Sequence, residues 1–422
     1  MAREYKDSGI EWIGQIPKEW KMARGKYLFS VLNGYAFDSS LFTNDTNMMP
    51  LIRIRDINNS ETEAYYMGDY SSDYIVQKGE VLVGMDGDFN VAKWKGSDAL
   101  LNQRVCKLNV FSEKYISLYA YYILPMLLKT KNDVTYATTV KHLSSNDILN
   151  FDFIVPTITE QQKIADYLDK VCGEIDEIVA LQETMVEELK AYKQSVITEA
   201  VTKGLDPNVP MHNSGIDWIG EIPKHWSTTK IKKIARTNSG STPRNISDGE
   251  NSNIVWIRTT DINDDVVYDS SLHLTSEEYS SASCPMLDEG TCVVAMYGGG
   301  GTIGKSGMLG VKATINQALC SMEVGDSFTG EYLFCILRSV RYYWMKYAVG
   351  TRKDPNINQE IVRNMIIPFP PIDEQRTIAS YLDTKCSEID SLIALKQAKI
   401  EELKEYKKSV IYEYVTGKKE VI

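Results

Sequence analysis

The chain has 422 residues, 43% of them hydrophobic, and a formal net charge of −11. That length predicts two or three domains, each large enough to bury a core. No apolar run reaches membrane-spanning length, and the acidic balance argues at first sight against a nucleic-acid partner.

The start, MAREYKDSG, carries no signal-peptide pattern. Seven cysteines, an odd number with no C-x-x-C, read as reduced and mostly buried thiols of a cytosolic protein. Four scattered histidines give no metal-ligand spacing. The sequence DSGIEWIGQIPKEW opens the chain at Asp7–Trp20, and NSGIDWIGEIPKHW returns at Asn213–Trp226, with 10 of 14 positions identical. Two Trp and two Ile in the W-I-G-x-I-P-K-x-W core of each copy predict a turn buried against a helix end.

A variable segment follows each copy, over 21–155 and 227–372. Each mixes β-like runs with one helical run, in a shared order. A strand with a trailing Asp-Ile (Asp56-Ile57, Asp261-Ile262) leads to a β run and a Gly-containing loop. Next come an Asn-Gln pair (Asn102-Gln103, Asn316-Gln317), a helix and a closing apolar strand. Outside these landmarks the two segments share little. They carry 14 basic against 15 acidic residues over 21–159 and the same over 227–372, so each is near neutral and can still present a basic groove. Part of the acid sits in 160–204, with 5 basic against 10 acidic residues.

Glu160–Thr202 contains no Pro and predicts one long helix, about 65 Å at roughly 1.5 Å per residue. Thr159 and Gln162 form a capping-box pattern at its start. Ile164, Leu168, Val171, Ile175 and Ile178, then Met185, Leu189, Tyr192 and Val196, make a heptad seam broken at Gln182. Such a helix needs a partner, and residues 374–416 repeat it with 25 identities in 43 positions. The expected seam runs through Leu168, Ile175 and Leu189 and their counterparts Leu382, Ile389 and Leu403. The whole chain is therefore a tandem duplication. It divides into a scaffold motif (1–20), a first variable domain (21–155), a first long helix (156–204), a linker with the repeated motif (205–226), a second variable domain (227–372) and a second long helix (373–422). The expected fold class is α+β, with two mixed α/β domains separated by a pair of long antiparallel helices and related by a pseudo-two-fold. A full variable domain lies between the helices, and a parallel pair would require a long return.

Catalytic constellations are thin. Gly299–Ser306 satisfies G-x-x-x-x-G-K-[ST] after a predicted strand, but strand-like residues follow where a phosphate-binding helix is required. A β-hairpin loop whose glycines admit close approach is the better reading. There is no G-x-S-x-G, no H-E-x-x-H and no Asn/Asp-Pro-Pro-aromatic tetrapeptide. Aromatic and basic residues do interleave. Tyr35, Phe37, Arg53, Arg55, Lys93, Lys95 and Arg104 stand out in the first segment. Ser241, Thr242, Arg244, Arg258, Tyr297, Gly300, Lys305, Arg352 and Lys353 stand out in the second. Arg and Lys can neutralise phosphates or read guanine edges.

The doubled SGI-x-WIG-x-IPK-x-W motif resembles one particular family. So do the doubled P-x-x-x-EQ entry to a helix ending in LKxYKxSVI, and the landmarks NSGSTPR, WIRTTDI, YGGGGTIGKS and INQA. The chain is similar to the specificity subunit of type I restriction–modification enzymes. The resemblance implies a non-catalytic subunit whose two variable segments each read one half of a split site on double-stranded DNA. It implies two modification subunits docked on the helices, carrying S-adenosylmethionine and methylating adenine. Separate restriction subunits would use ATP and Mg²⁺ to translocate and cut. No cofactor, metal or membrane is expected on this chain itself. The rivals are a P-loop NTPase or nuclease, which ATP hydrolysis by the isolated chain would reveal, and a scaffold that binds only protein.

Overall fold

The computed structural model describes residues 3–134, 142–243, 252–282, 284–298, 301–350 and 355–421. The chain divides into two units, Met1–Gln182 with Ala398–Ile422, and Glu183–Gln397. Each unit holds one variable segment and portions of both long helices, Ile158–Lys203 and Ile372–Val415.

In the first unit an antiparallel four-stranded sheet has the order Val91–Lys93, Val81–Gly84, Val105–Val110, Phe29–Asn33. The helix Ser117–Val134 packs on it. Asp152–Val155 closes the segment by pairing with Lys21–Arg24 just after the scaffold motif. The second unit repeats this plan. Cys292–Ala295 lies between Ser306–Leu309 and Leu319–Val324, the latter pairs with Ala235–Ser239, and Ile366–Phe369 pairs with Ser227–Lys230.

Within the first unit the two long helices run antiparallel. Asp176 meets Lys407 at 2.7 Å, and Tyr167 meets Tyr414 with ring centroids 4.5 Å apart. Within the second unit Lys193 meets Asp390 at 2.6 Å and Lys396 meets the sulfur of Met185 at 3.3 Å, again antiparallel. Leu168, Ile175, Leu382 and Ile389 are buried as expected, while Leu189 and Leu403 are half-buried.

Three parts of the expected seam are corrected. Ile178, Met185 and Tyr192 are exposed, and Val186, Ile197, Ala200 and Val201 are buried instead. The helix does not face only another helix, since its first turns pack on the first variable segment as well. Its last turns pack on the second variable segment, where the Tyr332 hydroxyl donates to the Val201 carbonyl at 2.9 Å. The first unit has the matching bond from Tyr119 to the Val415 carbonyl, also 2.9 Å.

The helix start is corrected too. The capping box is Thr157 with Glu160, not Thr159 with Gln162. Glu160 N donates to Thr157 Oγ1 at 3.3 Å and Thr157 N donates to Glu160 Oε2 at 3.1 Å. Tertiary contacts select this box. Trp20 Nε1 donates to Glu160 Oε1 at 3.1 Å, and Arg3 pairs with the same carboxylate. Burial pushes that carboxyl up, but these hydrogen bonds outweigh it and hold it below the usual range. Trp226 Nε1 does the same to Glu374 at 2.9 Å. The adjacent Gln161 and Gln375 are fully buried. Each donates to carbonyls (Lys114 and Pro156; Ser327 and Pro370) and accepts one amide of the variable segment, from Ile116 and Thr329 respectively. Glu latches the Trp motif and Gln latches the variable segment, so both meet at one helix end.

Candidate nucleic-acid interface

The two variable segments differ in sequence but build one frame. Gly34 and Gly240 end equivalent strands where a Cβ would stand 2.0 Å from the Asn102 carbonyl oxygen and 1.9 Å from that of Ile315. Just beyond them, Tyr35 N donates to Leu101 O at 2.9 Å and Ser241 N to Ile315 O at 3.1 Å. The Asn of each Asn-Gln pair then folds onto its own turn. Asn102 Oδ1 accepts from Gln103 N at 2.9 Å, and Asn316 Oδ1 from Ala318 N at 3.1 Å. Next, Met85 N donates to Arg104 O and Met296 N to Ala318 O, both at 2.8 Å. Leu143 N donates to Met85 O at 2.7 Å and Ile357 N to Met296 O at 2.8 Å. Asp86 thereby bridges His142, and Tyr297 bridges Asn356. Four stretches of each segment converge on one rim.

The rim side chains differ. In the first segment Tyr35 is exposed, with its ring 5.1 Å from buried Phe37 and 5.2 Å from Tyr74. Asp86 holds Arg104 Nη1 at 3.0 Å and His142 Nδ1 at 2.8 Å. In the second segment Thr242 hydrogen-bonds Gln317, which also reaches the Tyr297 hydroxyl. Burial pushes that hydroxyl up and the Gln317 bond draws it partly back.

The expected basic residues do not all gather at this rim. Arg53 is held by Asp56 at 3.0 Å and Glu63 at 3.1 Å. Arg258 is held by Asp261 at 3.4 Å and Ser271 at 2.6 Å. These equivalent pairs pin the strand with the trailing Asp-Ile. Arg55 is exposed, 3.9 Å from Glu63. Lys93 faces the first long helix, 2.8 Å from Asp169, which also accepts from Tyr122. Lys95 is exposed beside Asn58 and Glu63. Arg244, Gly300, Arg352 and Lys353 lie outside the described residues.

The Gly-rich loop is a hairpin. Lys305 is followed by the strand Ser306–Leu309, antiparallel to Cys292–Ala295, and not by a helix. A phosphate cradle of the P-loop kind needs that helix N-terminus. Ser306 instead gives its amide and hydroxyl to Asp264 Oδ1 at 2.9 and 3.1 Å. Asp264 also pairs with Arg341, which reaches the Gly301 carbonyl at 3.5 Å. Gly304, at φ +77°, lies against the Trp344 ring, where a Cβ would be 2.6 Å away. Lys305 is half-buried at this clamped end of the loop. Asp264, Arg341, Asp86 and His142 escaped the sequence reading, because each acts through partners dozens of positions away. Among the described residues no group of His, Cys, Asp and Glu could hold a metal ion.

The model of the type I restriction modification DNA specificity domain matches this chain twice, over residues 17–190 and 223–405. The EcoBI specificity subunit of Escherichia coli is 30% identical over 409 residues, covering 93% of this chain and 84% of that protein. The MjaVIII specificity subunit of Methanocaldococcus jannaschii is 24% identical, covering 82% and 81%. A chain of a solved type I R-M system matches with a TM-score of 0.67 at 14% identity, over 95% of this chain and 98% of that one. The HsdS subunit of Thermoanaerobacter tengcongensis matches with a TM-score of 0.50 at 15% identity and the same coverages. Those likenesses carry the fold, and the doubled domain match with the EcoBI relationship carries the rest: the chain belongs to the type I restriction–modification specificity subunits.

Proposed function

We propose that this chain reads double-stranded DNA with both variable segments, each taking one half of a bipartite and asymmetric site, and directs partner subunits to it. The observation that carries the reading is one frame with two different rims. A shared frame fits a shared backbone geometry of DNA, and different rims fit different base sequences. The chain itself supplies no chemistry in this reading. Two modification subunits would bring S-adenosylmethionine and methylate adenine, and restriction subunits would bring ATP and Mg²⁺.

The number of modification subunits is supported by doubled apolar surface. The first unit exposes Ile178, Leu181 and Tyr406, and the second exposes the equivalent Leu392, Leu395 and Tyr192. Seven free, buried cysteines support a reducing, cytoplasmic setting. Among the described residues no helix is long and apolar enough to cross a membrane.

Replacing 227–370 with the segment of another family member should change one half-site and leave the other intact. Sequencing methylated sites after co-expression with the cognate modification subunit reads this directly. A change in both halves would mean that the two segments do not act independently.

Lys305 fits a phosphate contact, because it stands on the clamped end of its loop and not on a free tip. Lys305→Ala should lower the slope of log affinity against log salt by about one unit and weaken cognate and scrambled duplexes alike. Unchanged affinity on both duplexes at every salt concentration would take this loop off the DNA.

A further inference from the structure

Asp86, Arg104 and His142 come from three separate stretches that the frame brings to one point of the first rim. Arg104 is 58% exposed and His142 53%, whereas the Asp86 carboxylate between them is 26% exposed. The carboxylate is thus the hub and the two nitrogen-bearing groups face outward. Arg104 is also held in the left-handed region, at φ +73°, which a residue with a side chain seldom adopts. The second segment has the same backbone bonds at this place, but Tyr297, Ala318 and Asn356 occupy the three positions.

We propose that this hub reads a G·C base pair in the major groove, with Arg104 and His142 touching the bases and Asp86 positioning both. The proposal rests on the DNA-reading function given above and assigns a base class to part of it. Asp86 takes Nη1 of Arg104, which leaves Nε and Nη2 as two parallel donors. Guanine offers the matching pair of acceptors, O6 and N7. A carboxylate only accepts, so His142 donates to Asp86 from Nδ1, and the neutral form of the ring then carries an acceptor at Nε2. The cytosine N4 amino group is the donor that such an acceptor fits.

A phosphate contact is the natural alternative, and the Asp86 carboxylate, 3.0 Å from the guanidinium, weighs against it: it would repel a phosphate but not a neutral base edge.

The test uses the full chain co-expressed with its modification subunit, with methylated sites mapped by sequencing. Bound duplexes are also selected from a randomised pool by the purified complex, so that a loss of methylation still leaves a readout. Arg104→Gly removes the side chain while glycine accepts φ +73°, so the turn is kept. One G·C pair of one half-site should lose about 5- to 150-fold in discrimination, the span of one bidentate contact. The other half-site should be unchanged. Asp86→Asn should loosen the same pair with no change in the salt slope. Full discrimination retained by Arg104→Gly, or uniform weakening with a slope lower by about one, would overturn the proposal. A wild-type complex that selects no sequence at all would instead bring down the DNA-reading function itself.

Discussion

Leu168→Asp should unfold the first unit or leave it barely stable. Leu168 is fully buried in a cluster with Ile164, Cys172, Tyr119, Val410 and Val415. Removing a buried leucine side chain costs about 2–5 kcal/mol, and an unpaired carboxylate placed there adds several more. A typical domain has only about 5–15 kcal/mol to lose. Leu382, buried with Ile197, Val201 and Tyr332, should respond alike in the second unit. Met185→Asp serves as the control, because Met185 was expected in the seam and is exposed. Its thermal midpoint should stay within about a degree or two of wild type, since exposed sites are usually worth under about 0.5 kcal/mol. Thermal unfolding and co-purification with the modification subunit are the measurements. If Leu168→Asp keeps both, these contacts do not hold the unit together.

The scaffold was legible because duplication states each signal twice. The Trp motif, the Glu-Gln entry and the long helices recur in order, and Trp20–Glu160 with Trp226–Glu374 is one contact written twice. Periodicity was less reliable from the middle of the first long helix onward, where Ile178, Met185 and Tyr192 are exposed. A heptad assumes one partner helix, whereas the turn around Ala200 and Val201 packs on a β-rich segment as well, and the buried stripe shifts and widens. The capping box was misplaced by two residues because Thr157 and Thr159 both fit a capping pattern, and only Trp20 and Arg3 select between them.

Charge was the weakest guide to the interface. Arg53, Arg258 and Lys93 look like DNA contacts in a list of basic residues, yet each has a carboxylate of its own at 2.8–3.4 Å and is at most 32% exposed, against 58% for the equally paired Arg104. Whether a cation is already paired inside the fold is a tertiary property. The Asn-Gln pair was the better signal. It stands in both segments despite their different sequences, and the Asn of each pair closes its own turn. The rim hub of Asp86 and His142 left no mark in the sequence, since 56 positions separate the two.

Gly240→Ala should remove one half-site from the recognised sequence, and Gly34→Ala the other. Neither glycine is at positive φ, so the demand is for room and not for an unusual dihedral. The new Cβ would stand 1.9 Å from the Ile315 carbonyl oxygen in one case and 2.0 Å from that of Asn102 in the other. Those are backbone atoms of the adjoining rim turn, and no rotamer change moves them aside. The loop would have to lift, breaking the Ser241 N to Ile315 O bond. It would also strain the bonds that Trp256 Nε1 and Cys284 Sγ make to the Ser241 carbonyl, each at 3.2 Å. Overpacking costs about 1–3 kcal/mol and the lost hydrogen bond about 0.5–1.5 more, so roughly 1.5–4.5 kcal/mol falls on this loop. Gly290→Ala separates room from dihedral, because Gly290 is at φ +81° with nothing within 4 Å of the added Cβ. It should cost only about 1–2 kcal/mol and leave both half-sites intact. Mapping methylated sites for the three variants, beside their thermal midpoints, separates these outcomes. A Gly240→Ala chain that keeps its full recognised sequence would show that the rim can shift without losing its reading, and that the shared frame does not set base choice.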